Sequence, residues 1–132
     1  YALCAAQWHK ELSYKDNFFG DGIKYDNDFN MEFGYTPPYQ AAESSAALLV
    51  YKDAFERANS FDTEKVRDAL AKTDMQTFYG NIKFGSGGQN TAKPMVLFQV
   101  RCEGGECANR VVAPTKWASH ELVHPIPSWS SR

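Results

Sequence analysis

Apolar and polar positions change rhythm three times along this chain. Residues 2–8 (Ala-Leu-Cys-Ala-Ala-Gln-Trp) are continuous and mostly apolar, the pattern of a short strand buried on both faces, as in a parallel sheet. From Gly22 to Phe33 the spacing becomes helical: Tyr25, Phe29 and Phe33 recur every fourth residue, Asp21 precedes them as a cap, and Gly34 follows as a left-handed stop. Thr36-Pro37-Pro38 then enforces an extended link. A second, longer helix is predicted over Tyr39–Ala58, with Ala47, Tyr51, Ala54, Phe55 and Ala58 on its inner stripe and Asn59-Ser60 closing it. A third begins after Asp62, with Phe61 placed to staple onto Val66, and ends near Thr73. Beyond it the period falls to two. Ile82 and Phe84 alternate with Asn81 and Lys83, Gly85–Gly88 reads as a turn, and strands are predicted over Met95–Val100 and Val111–Ala113. The tail from Pro114 carries Trp117, Trp129, Pro125 and Pro127 and reads as an ordered segment that packs through its rings.

The order strand, three helices, then strands gives an α/β class. With 132 residues, the chain supports one compact domain and buries roughly two thirds of its unfolded surface. The 14 basic and 16 acidic residues leave a net charge of -2. There is no basic excess to neutralise phosphates, which argues against nucleic acid as a partner. The longest apolar runs, Tyr1–Ala6 and Ala46–Tyr51, are far short of a membrane span. The start at Tyr1, with no basic-then-apolar leader, implies a processed product or a piece of a longer reading frame.

Cys102 and Cys107 flank a turn-like Glu-Gly-Gly-Glu. A bridge across the turn, suited to an oxidising compartment, and two free thiols at a hairpin are both open. Cys4 sits in an apolar run and reads as a core residue. His120-Glu121-Leu122-Val123-His124 fits the H-E-x-x-H pattern, in which a helix sets two imidazoles on zinc and the Glu acts as base. Pro125 directly after the second His opposes a helix there, so a surface turn with two polar histidines is the competing reading. Asp26-Asn27-Asp28 resembles the start of a calcium loop, but Met31 stands where the turn glycine belongs. Gly85–Gly88 lacks the Gly-Lys-Ser/Thr of a phosphate loop, and no nucleophile, base and orienter can be assembled.

The chain as a whole resembles a known family. Gln7-Trp8-His9, Phe33-Gly34-Tyr35-Thr36-Pro37-Pro38-Tyr39-Gln40-Ala41-Ala42, the Phe55–Ala58 and Phe61–Leu70 helix pair, Thr77–Phe84, Met95–Val100, and the tail Val112–Ala118 with Pro125–Trp129 are similar, in order and spacing, to the C-terminal portion of type I periplasmic solute-binding proteins of the branched-chain amino-acid class. The resemblance implies a partial periplasmic-binding-protein type I fold, an incomplete two-lobed Rossmann-like sandwich. Residues 1–35 would belong to the second lobe, 36–100 to the first, and 101–132 to the C-terminal strands and tail, with Pro37-Pro38 as a hinge crossing. It further implies a non-enzymatic, periplasmic or extracytoplasmic component of an ABC importer for amino acids or similar small polar molecules. Its partners would be the solute and an ABC permease, with no cofactor and no metal. Gln7, Trp8 and Tyr39 are the candidate ligand-binding residues. Two other expectations compete: a homo-oligomeric assembly, and a zinc-dependent hydrolase built on His120, Glu121 and His124.

Overall fold

A computed structural model describes residues 1–131; Arg132, the last residue of the tail, lies outside the described residues. The elements run β1 (Leu3–Ala6), β2 (Lys15–Asp16), β3 (Gly20–Asp21), α1 (Gly22–Phe33), α2 (Tyr39–Ala58), α3 (Thr63–Leu70), β4 (Asp74–Thr77), β5 (Gly80–Lys83), β6 (Val96–Glu103) and β7 (Glu106–Ala113). A 3-10 turn occupies Trp129–Ser131.

Local chemistry sets the helix ends. The Asp21 side chain accepts from the Lys24 N–H at 2.8 Å, satisfying one of the first-turn donors. Gly34 closes α1 at φ 77°, and its N–H reaches the Asn30 carbonyl at 2.8 Å. Asp62 caps α3 on the Lys65 N–H at 3.1 Å, while Asn59 ends α2 in the left-handed conformation at φ 45°. Arg57 fastens α2 to the end of α3: it donates to the Ala69 carbonyl at 2.7 Å and to Thr73 Oγ1 at 3.0 Å, and pairs with Asp53 one turn back at 2.6 Å.

Two expectations about helical faces are corrected. The buried stripe of α2 is Ala42, Ala46, Val50 and Ala54, whereas Ala47 and Tyr51 are exposed. The alanine-rich first half reads equally well in several rotations, and the core selects the row with spacing four that lets β4–β5 approach. Phe61 does not staple onto Val66. It is 86% exposed and meets the Phe55 ring at 5.1 Å.

The strands form three small antiparallel sheets: β1-β6-β7, β2-β3 and β4-β5. The expected parallel, doubly buried strand is therefore an antiparallel edge strand. β1 pairs with β6 alone, Leu3↔Gln99 through Ala6↔Val96, and of its residues only Ala6 is buried. A continuous apolar run does not specify two neighbours; among the described residues one side of β1 has none. For the same reason Cys4 is exposed rather than a core residue. Cys102 and Cys107 face each other across the β6–β7 hairpin and are joined by a disulfide, with Cα atoms 4.0 Å apart.

One core runs through the molecule. Phe78, fully buried, stacks on Tyr25 at 4.2 Å and meets Phe19 and Trp8 edge-on at 5.1 and 6.0 Å. Ala42, Ala46, Val50, Val96 and Val111 close around these rings. A satellite of Ala54, Val66 and Ala69 joins α2 to α3. The small alanines on α2 let the aromatic cluster and the β4–β5 hairpin sit close to its backbone.

Candidate functional site: two pockets on either side of the aromatic core

The first pocket, of about 260 Å³, lies at the Pro37-Pro38 link and is lined by Trp8, Lys10, Asp26, Tyr39, Phe98 and Asn109 among others. Trp8 is 5% exposed; its indole N–H donates to the Phe78 carbonyl at 3.3 Å. Tyr39, at the first turn of α2, stays 37% exposed. The Asp26 carboxylate is buried beside them. Lys10 Nζ reaches its Oδ2 at 2.6 Å, and its Oδ1 is buried with no hydrogen-bond partner among the described residues. The approach is tight because α1 begins with glycine: a Cβ on Gly22 would fall 2.5 Å from the Lys10 carbonyl oxygen. At the pocket's edge burial holds the His9 imidazole below its ordinary pKa, against the opposing pull of Glu11.

The second pocket is an open cleft of about 910 Å³ between α2, α3, the β4–β5 hairpin and the glycine-rich loop. Gln7 reaches its wall, with Glu43, Val50, Arg67, Leu70, Tyr79, Ile82 and Lys93. The β4–β5 loop is Phe78-Tyr79, closed by Thr77↔Gly80 pairing, with the Thr77 hydroxyl donating to the Gly80 carbonyl at 2.9 Å. Asn90 ties the following loop to β5. Its Oδ1 accepts from the Lys83 N–H at 3.1 Å and its Nδ2 donates to the Asn81 carbonyl at 3.1 Å. That anchorage delivers Lys93 across Gly80, its Nζ 3.9 Å from the centre of the Tyr79 ring. Nζ is buried and has no hydrogen-bond partner among the described residues. Burial lowers the Lys93 ammonium to a pKa of about 8, with Glu43 opposing the fall. Burial first, then Glu43 and Tyr39, hold the Tyr79 hydroxyl above its ordinary pKa, so it keeps its proton and remains a donor.

The structure separates the three residues singled out from the sequence. Trp8 and Tyr39 line the smaller pocket, and Gln7 lines the cleft. Trp8 is packed into the core. Asp26 and Lys93 were missed. Lys93 belongs to no motif, and Asp26 stood out only at the start of a calcium-loop resemblance; both owe their burial to contacts distant in sequence.

The zinc expectation is overturned. Residues 118–128 contain no helix. Gln99, fully buried, clasps the segment by accepting from the Val123 N–H at 3.0 Å and donating to its carbonyl at 3.2 Å. Arg101 donates to the Glu121 carbonyl at 3.2 Å. His120 turns to Ser119 Oγ at 3.0 Å, and His124 is exposed. Among the described residues no group of three His, Cys, Asp or Glu side chains is placed to hold a metal ion. The proline after His124 and the backbone clasp of Gln99 together hold this stretch extended.

Taken with its topology, the chain has part of the two-lobed periplasmic-binding-protein type I fold. The particular likeness is to a crystal structure of a leucine binding protein, LivK, from Thermotoga maritima. The TM-score is 0.64 at 24% sequence identity, over 86% of this chain and 31% of that one. The chain thus spans about a third of the length of that relative. No model of a known protein family matches the chain. No helix among the described residues is long and apolar enough to cross a membrane.

Proposed function

We propose that this chain is part of a type I solute-binding protein, acting without catalysis as the extracytoplasmic component of an ABC importer for amino acids or similar small polar molecules. The observation that carries the reading is the shared fold over 86% of the chain with a protein named for binding leucine. In this reading residues 1–35 belong to the second lobe, 36–100 to the first and 101–132 to the C-terminal strands and tail, with Pro37-Pro38 between lobes. Tyr39 and Trp8 then stand at a hinge pocket, where an exposed phenol and the edge of a buried indole offer an apolar wall with a polar rim. Gln7 lies apart from them, on the wall of the larger cleft. The importer's permease is the protein partner.

Thermal unfolding of the protein as purified from its native host, with leucine, isoleucine, valine and polar amino acids in turn, tests this. A ligand at about a hundred times its dissociation constant stabilises by about 2.7 kcal/mol. The reading requires such a shift with at least one of them, and a flat response to all of them removes it.

Self-association is a second reading, favoured by one observation. Leu48, Tyr51 and Phe61 are 70%, 48% and 86% exposed along α2 and its C-terminal turn, apolar surface of the kind that marks contact sites. Light scattering across a dilution series separates the two: a mass that doubles with concentration supports the assembly, and a constant monomer mass dismisses it.

A further inference from the structure

We propose that the 910 Å³ cleft beside the β4–β5 hairpin is a second binding site, one that takes a small aliphatic monocarboxylate on the Lys93 ammonium above the Tyr79 ring. This site is distinct from the pocket at Trp8 and Tyr39, and it does not depend on the importer reading.

The first argument is hydrogen-bond accounting. An ammonium carries three donors, and Lys93 Nζ is buried with no acceptor among the described residues. The Tyr79 ring face, 3.9 Å away, attracts the charge but offers no lone pair to those donors. A buried cation so placed is costly unless an acceptor reaches it. A carboxylate in the cleft is such an acceptor.

The second is preorganisation. Lys93 is not a surface side chain that has collapsed inward. Its stem lies where a side chain at position 80 would stand: a Cβ on Gly80 would fall 2.3 Å from Lys93 Cδ and 2.6 Å from Cε. Gly80, at φ 145°, leaves the lane open, and the Asn90 side chain pins the loop that delivers the lysine. Holding the ammonium in place before binding lowers the entropy lost when a ligand arrives.

The third is charge. Glu43 stands on the same wall and bears on Lys93 electrostatically. The other cation of the cleft, Arg67, is already engaged by Glu64 at 2.6 Å and Asp68 at 2.8 Å. One available cation opposed by one carboxylate suits a single negative charge and repels a phosphate or dicarboxylate dianion. Beyond the polar end, Val50, Leu70 and Ile82 supply an apolar wall, which suits an aliphatic tail.

Calorimetric titration with 4-methylpentanoate and with 4-methylpentanamide, the same tail without the charge, tests the proposal. The acid is expected to bind and the amide to bind at least about tenfold more weakly, the value of one charge-assisted hydrogen bond. Lys93→Met should weaken the acid to the level of the amide. Glu43→Gln, at an exposed position that leaves the fold intact, should tighten the acid and leave the amide unchanged, which keeps the test decisive if the Lys93 variant fails to fold. No heat with the acid at millimolar concentration, equal affinity for acid and amide, or an unchanged acid affinity in Glu43→Gln would each overturn the proposal.

Discussion

The two pockets each bury one polar atom that the described residues leave without a hydrogen bond, Asp26 Oδ1 in one and Lys93 Nζ in the other, yet they do so in opposite ways. Asp26 keeps a counter-ion: Lys10 sits on its second oxygen at 2.6 Å, and the small space around it is walled by Trp8 and Phe98. Lys93 has a ring face in place of a carboxylate and opens on a cleft more than three times as large. The first arrangement reads as an internal tie between α1 and the segment after β1. The second holds a charge at the edge of a cavity with its hydrogen-bonding capacity unspent. Burial alone therefore does not distinguish a structural polar group from a binding one; the local supply of acceptors does.

That contrast can be broken experimentally, and the largest effect belongs to the aromatic core. Phe78 is fully buried against Trp8, Phe19 and Tyr25. Phe78→Ala should destabilise by about 3–5 kcal/mol in urea unfolding, and a loss below about 1 kcal/mol would show that the cluster is not the common core. Next comes the structural pair. Lys10→Met leaves a buried carboxylate unpaired and should cost about 1–3 kcal/mol in urea unfolding. Gly22→Ala drives a methyl into the Lys10 carbonyl and should cost a similar amount, about 1–3 kcal/mol. The same lysine-to-methionine change at position 93 should have the opposite character. It removes a buried cation with no acceptor, so stability should hold or rise. A loss in Lys93→Met as large as that in Lys10→Met would erase the distinction between the pockets.

A further effect is in the pH profile, and its sign follows from the depressed pKa. Lys93 falls from its ordinary 10.5 to about 8 in the folded chain. Between those values the unfolded chain holds a proton that the folded chain has released, so raising the pH through this window favours folding. Tyr79 acts in the opposite direction above its ordinary 10.0, where the unfolded phenol ionises first. The wild-type protein should therefore gain stability relative to Lys93→Met between about pH 8 and pH 10. Guanidinium unfolding of both proteins at several pH values checks this; parallel profiles would remove the buried ammonium from the account.

What the sequence made legible follows the range of the interactions. The bounds of α1 and α2, the caps at Asp21 and Asp62, and the stop at Gly34 depend on residues within one turn, and the structure has them where the pattern placed them. The Cys102–Cys107 hairpin is equally local. The stripe of α2 was misread because alanines and serines fill several faces alike. The antiparallel pairing of β1 depends on β6, more than ninety residues away, and nothing in an apolar run of seven names its partner. The β4 strand was missed because Asp74-Met75-Gln76-Thr77 shows no clean alternation and takes its order from β5.

The sites divide in the same way. Trp8 stands out as a large ring beside a strand, but its burial against Phe78 comes from the other half of the chain. Lys93 is a lone cation in a Thr-Ala-Lys-Pro loop, with no periodicity to single it out. The one local signal was Gly80 directly after Phe78-Tyr79, a glycine at a hairpin where a side chain has to be missing for something to pass. Which side chain passes there is set by the twelve residues of loop and strand between Gly80 and Lys93 and by the Asn90 tie.

Equilibrium binding of leucine to the protein from its native host, followed by Trp fluorescence, tests the central claim most directly, because Trp8 borders the pocket that the solute-binding reading assigns to the ligand. The account predicts a saturable change that Tyr39→Ala, at a half-exposed position outside the core, weakens by about tenfold or more. Saturable binding with identical affinity in Tyr39→Ala, or no binding of leucine or any other amino acid, would contradict it.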